Sequence, residues 1–393
     1  MTRPPVGDAM ARSRWTLGMG PAAVAAAALL LLSGAGLARS VATRAEQVAT
    51  LRADSSFAGT VARLSEAPGY FDSDNLISNE TSYLHAVSHL RAGGVTGGAY
   101  VGVGPDQNFS YIAAIRPDVA FLIDIRRDNL LMHLLFKALF ERSQNRFEYL
   151  ARWTGRTVPA NVAQWTGRPV EEVLAAVDSL AVDDRVAIAE GDSLLAIIHG
   201  YGVPLSLTDT ATIRRFHGAF VQSGLDLRFT STGRQPRYYY PTLRQLILER
   251  DLEGRQASYL ASEDAWRFLR SLQARDRVIP VVGNLAGASA FPAVSREIAT
   301  RNERVAALYV SNVEMYLWRD GTFPKFAATA ARLPRDARSV IIRSVFGSGF
   351  GQSHPLRRDP HYSTQLVQSL DDFATREARG WSSYWDLVTS GNR

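Results

Sequence analysis

The chain has 393 residues, 46% of them hydrophobic and 21% charged, enough to bury the core of one large domain or of two. Its net charge of +6 comes from 44 basic residues scattered among 38 acidic ones, and only Lys137 and Lys325 are lysines, so no block of like charge marks a face for nucleic acid. Cysteine is absent, which excludes disulfides, thiolate metal sites, a cysteine nucleophile and a lipidated cysteine.

In chain order, residues 1–40 come first. Arg3, Arg12 and Arg14 precede an Ala/Val/Leu-rich run from Pro21 to Leu32, and small residues follow as far as Ala38. This pattern predicts a secretory signal cleaved near Val41, or an uncleaved anchor through Pro21–Ala38. The basic residues on its N-terminal side predict a globular part exported to the periplasmic side, with a cytoplasmic domain as the alternative. Membrane contact is expected through this segment only. Residues 41–67 are expected to be helical. The turn residues Gly69–Asn75 end them, Asn79–Leu90 resumes a helix, and the glycine-rich Gly93–Gly98 leads into a strand.

The stretch Ala99–Asn129 reads as a strand (Ala99–Val103), a glycine turn (Gly102, Gly104), a helix (Asp106–Ile115) and a second strand (Val119–Ile123) ending in Asp124. Such a βαβ unit, with a carboxylate twenty residues past the glycine, suits a nucleotide whose ribose hydroxyls the carboxylate accepts. A lone G-x-G also serves structural tight turns, and an acid beside Arg126 can simply be ion-paired. Asp106 in the first helical turn opposes a pyrophosphate, which wants bare N–H groups there. It suits a ligand bearing an ammonium and a sulfonium, such as S-adenosylmethionine. The competing cofactor is NADP, with Arg126 and Arg127 on its 2′-phosphate.

Asp128 or Asn129 is expected to cap a helix running from Leu130 to Trp153. Residues 154–257 lack the strand rhythm and read as a helical insertion (Val170–Leu180, Asp192–Ile198, Ala211–Ser223) with a turn at Tyr238–Pro241. The rhythm returns with a helix starting at Ser262 and strands at Val278–Val282, Val305–Val310 and Val340–Val345. Phe291–Asn302 and Phe326–Leu333 are the helices between them. Five apolar strands alternating with helices predict an α/β fold, a doubly wound and mainly parallel Rossmann-like sheet. Its halves would be residues 41–153 and 258–393, with ligands outside the carboxyl ends of the strands. One of those ends is Gly347–Gly351, read as a mobile loop. His85 and His89 stand four apart on a helix, but no third metal ligand is evident, and no metal is expected.

The segments GYFDSDNLISNE, GVGPDQNFSYIA, FLIDIRRDN, VVGNLAG and YVSNVEMYL resemble an uncharacterised group of bacterial proteins. The sheet of that group in turn resembles class I S-adenosylmethionine-dependent methyltransferases. The resemblance implies that Gly102, Gly104, Asp106 and Gln107 meet the methionine part of the cofactor, Asp124 the ribose and Asn284 the adenine. Asn312 and Glu314, at the fourth strand's end, would face substrate and are the catalytic candidates. Asp74, Asn75, Asn79 and Glu80 would fold over the ligand as substrate-binding residues. An exported domain would lack this cytoplasmic cofactor. The expected function is therefore methyl transfer to an unknown substrate or, alternatively, small-molecule binding by an exported or membrane-anchored fold that has lost cofactor use, with an NADP-dependent oxidoreductase as the second alternative.

Overall fold

The computed structural model describes residues 56–231, 237–346 and 353–392. The expectations for residues 1–55 and for Gly347–Gly351 lie outside them. Strands β1 (Ala99–Gly102), β2 (Val119–Asp124), β3 (Val278–Val282), β4 (Val305–Tyr309), β5 (Val340–Phe346) and β6 (Ser363–Ser369) form one sheet in the order β3-β2-β1-β4-β5-β6. The first five run parallel, and β6 lies antiparallel against β5. In β1 to β4 every residue but the terminal Asp124 is buried, which is why these strands read as continuous apolar runs.

Fifteen α-helices surround the sheet among the described residues. Gln107–Ile115 and Arg127–Arg142 both pack on Glu263–Ala274. A second group chains together through Phe57–Leu64, Ala290–Thr300, Phe323–Ala330 and Leu370–Glu377. The fold is thus α/β with a mostly parallel sheet. The described residues of the stretch 154–257 hold helices and isolated bridges (Arg156 with Val182, Arg228 with Thr242, Arg250 with Gln256) but no strand.

Four local expectations are corrected. The helix expected over Asn79–Leu90 starts only at His85, after a turn. Arg126, not Asp128 or Asn129, is the cap residue of Arg127–Arg142. Leu130–Trp153 is two helices, because Asn145 accepts from the amide of Glu148 and starts Arg146–Trp153 anew. The sixth strand was not anticipated. Its sequence STQLVQS has no apolar run, yet Thr364, Gln365 and Gln368 are buried in it.

Candidate functional site

β1 is flanked by β2 on one side and by β4, reached by the crossover from β3, on the other, so the strand order reverses here and a crevice opens at the carboxyl end of β1. The glycine turn there is tightly built. A side chain at Gly102 would meet Asn108 Oδ1 at 2.0 Å and Tyr100 at 2.7 Å, while Tyr100 donates to Asn108 Oδ1 at 2.8 Å. Gly104 takes φ +84, a conformation glycine adopts freely, with no atom within 4 Å of where a Cβ would stand. Beneath it His133 donates Nε2–H to the Gly104 carbonyl at 2.9 Å. Burial pushes the imidazole down to about 4, against the opposing carbonyl bond, so it is neutral near pH 7. Its Nδ1 is buried without a partner among the described residues.

The predicted cofactor residues separate into distinct environments. Asp106 is buried and accepts from Tyr259 Oη at 3.2 Å, within the aromatic cluster of Phe109, Tyr149 and Tyr259. Burial raises its carboxyl to about 7, only partly offset by the tyrosine. Asp124, at the end of β2, is gripped from two sides by one side chain. Its Oδ1 accepts from the amide of Arg126 at 2.9 Å and from Nε at 3.1 Å, and its Oδ2 accepts from Nη2 at 3.0 Å. The same guanidinium donates through Nη1 to the carbonyls of Ser73 at 2.6 Å and Asp74 at 2.8 Å. The ion-paired reading of Asp124 therefore describes its free state. Arg127 is likewise committed, to Asp209 at 2.9 and 3.0 Å. Both guanidiniums are thus engaged by carboxylates of the chain itself.

Asn284 follows β3, where its amide donates to Glu66 Oε1 at 2.7 Å and its side chain accepts from the amide of Ala286 at 2.8 Å. Glu66 also accepts from Ser289 Oγ and from the amide of Ala290, the first residue of its helix. Burial pushes this carboxyl up, but these hydrogen bonds outweigh it and hold Glu66 below its usual range. Glu66 was not among the predicted residues. An acid at a helix N-terminus is favourable, but nothing local places Glu66 beside a helix more than 200 positions onward.

The segment from Glu66 to Glu80 runs along the strand ends. Glu66 meets the end of β3, Gly69 donates to the Ile125 carbonyl at 2.8 Å beside β2, and Ser73 is held by Arg126. Glu80 closes the far end, buried between β1, β4 and β6. It accepts from Tyr309 Oη at 2.8 Å, Ser311 Oγ at 2.5 Å, Gln107 Nε2 at 3.1 Å and Gln365 Nε2 at 2.8 Å. Gln107 also donates to Tyr309 Oη. Four neutral donors thus saturate a buried carboxylate, and no ion pair reaches it among the described residues. Ser311, two residues past the end of β4, holds φ +52, a strained backbone for a residue with a side chain.

The remaining predicted residues fall into two groups. Asp74 pairs with Arg215 at 2.6 Å. Asn75 takes φ +48 in a turn closed by Ser73 Oγ, and Asn79 is half-buried. Asn312 precedes its helix without capping it by its side chain. Glu314 does not face the crevice. It is fully buried against Arg343, Nε to Oε2 at 2.6 Å and Nη2 to Oε1 at 3.2 Å. Arg343 also donates to Gln368 Oε1 at 2.9 Å and Asn392 Oδ1 at 2.7 Å. His85, the first of the spaced histidines, packs edge-on against His361 at 4.8 Å between ring centres.

The Arg126 clamp yields a direct expectation. Arg126→Ala removes two charge-assisted contacts to the Ser73 and Asp74 carbonyls, each worth ~1.5–3 kcal/mol. Amide exchange over residues 69–75 should accelerate at least roughly tenfold while the strands keep their protection. Unchanged exchange there would remove the clamp from the account.

Fold and site together define an α/β protein with a mostly parallel sheet whose strand ends are overlaid by its own chain. Residues 76–166 and 233–383 match the family described as Domain of unknown function (DUF7790). These are more than half of the chain, and the chain belongs to that family. No curated protein matches it.

Proposed function

We propose that this chain is a doubly wound, Rossmann-like domain of methyltransferase-like type that has given up the nucleotide crevice and works as an exported or membrane-anchored small-molecule binding protein. The strand order 3-2-1-4-5-6 supports the fold reading, with the antiparallel edge strand a common variation on such sheets. One observation carries the functional reading: the carboxylate that would accept the ribose diol is held on both oxygens by Arg126, which also pins Ser73 and Asp74. A nucleoside entering there would have to displace a largely buried ion pair and the segment it holds. The polar rim left at the switch point is Asn79, Ser311 and Asn312 above the Glu80 network, and it is the surface a small polar ligand would meet.

S-adenosylmethionine-dependent methyl transfer is the second reading, favoured by the open space beside Gly104. In it Gly102, Gly104 and Gln107 line the methionine end, Asp124 the ribose and Asn284 the adenine, once residues 66–80 swing away.

Calorimetric titration of S-adenosylmethionine and S-adenosylhomocysteine into the full chain separates the two. No heat of binding at millimolar ligand is expected, from the wild type or from Arg126→Ala. Binding by the wild type below about 100 μM, lost in Asp124→Asn, would overturn the binding-protein reading. Binding by Arg126→Ala alone would mean that the crevice is intact under a removable cover.

A further inference from the structure

Away from the strand ends, a half-open cavity of about 330 Å³ lies between helix Phe323–Ala330 and the turn after helix Leu370–Glu377. That volume suits a small organic ligand. Its walls are aromatic and turned against one another. Phe323 stands between Trp318, 5.0 Å away at 48°, and Trp381, 5.4 Å away at 80°. Pro324 and Gly380 complete the rim. Among the lining residues Glu377 alone carries a charge, and it makes no ion pair among the described residues although it is half-buried. The indole nitrogen of Trp381 is buried without a hydrogen-bond partner among the described residues.

We propose that this cavity binds a methylated ammonium compound. Ring faces present negative quadrupole to a cation, and the Trp318 and Trp381 rings in the lining offer such faces to the methyl groups of a quaternary nitrogen, which offers no N–H to water or protein. Glu377, in the lining, supplies the opposite charge. A neutral apolar ligand would leave Glu377 without use, and an anion would be repelled by it. The site is independent of whatever occupies the strand ends.

Choline is the probe, with 3,3-dimethylbutan-1-ol as its uncharged carbon isostere and the full chain as the protein. Calorimetry should show choline binding at least tenfold tighter than the isostere. Glu377→Gln and Trp381→Leu should each weaken choline at least tenfold, while the melting temperature of Glu377→Gln stays at the wild-type value. Binding of free choline would identify a soluble ligand. Co-sedimentation with phosphatidylcholine but not phosphatidylglycerol vesicles, lost in Glu377→Gln, would identify a lipid headgroup and equally uphold the site. Equal affinity for choline and its isostere, or binding of neither choline nor phosphatidylcholine vesicles, overturns the proposal.

Discussion

Glu314→Gln is expected to lower folding stability by about 3–5 kcal/mol, because it strands a guanidinium in the interior. Arg343 sits in the middle of β5 with no exposed surface, and Glu314 is its only anionic partner among the described residues. Gln368 and Asn392 offer neutral oxygens, which cannot balance the charge. A domain holds only about 5–15 kcal/mol in total, so this one change would remove a large part of it. Removing the whole pair is a different matter. Glu314→Leu combined with Arg343→Met discards both desolvation costs and should recover most of the loss. Urea unfolding of the two variants beside the wild type reads this directly. A single variant within about 1 kcal/mol of wild type would refute the burial of an essential ion pair.

The second large effect is a pH dependence set by Asp106. Its ordinary value is 3.8, and burial raises it in the folded protein to about 7. Between those two pH values the folded form keeps a proton that the unfolded chain has released. Stability contributed by the protonated form is therefore fully present below pH 3.8, declines as pH rises and is gone above about 7. At 1.36 kcal/mol per pH unit the window corresponds to about 4 kcal/mol. Asp106→Asn keeps the shape and cannot ionise, so it should be more stable than the wild type at pH 8 and converge with it near pH 4. His133, held neutral by burial, acts in the opposite sense, destabilising the fold as pH falls from 6.5 toward about 4. Comparison of variant and wild type across pH cancels that contribution and isolates Asp106. Parallel stability curves from pH 4 to 8 would contradict the burial of an ionisable carboxyl there.

For function, the contrast between Asp124 and Glu80 matters most. Both are acids at the crevice, and both were legible as candidates. Asp124 is bound by a cation from two positions along the same loop, the ion-paired role open to any acid beside Arg126. Glu80 is retained without a cation, on four neutral donors, beside a serine in a strained conformation. Burying such an acid is costly unless its oxygens are bonded, and in the function proposed above Glu80, at the switch point, is the stronger candidate of the two.

What the sequence by itself determined is what depends on neighbours a few residues away. Five buried strands announce themselves as apolar runs because a parallel sheet covers both of their faces, and the glycine turn and its helix follow from backbone preferences. Serine caps such as Ser262 are local as well. The edge strand escaped this reading because its buried glutamines bond across the sheet, Gln365 Nε2 to Ser344 and Glu80, and Gln368 Oε1 with Arg343. The state of each acid was equally beyond it. Glu314 finds Arg343 29 positions away, Glu66 receives Asn284 from 218 away and Glu80 receives Gln365 from 285 away. Whether a carboxylate is free to hold a ligand depends on which donors the folded chain brings within about 3 Å, and only tertiary structure decides that.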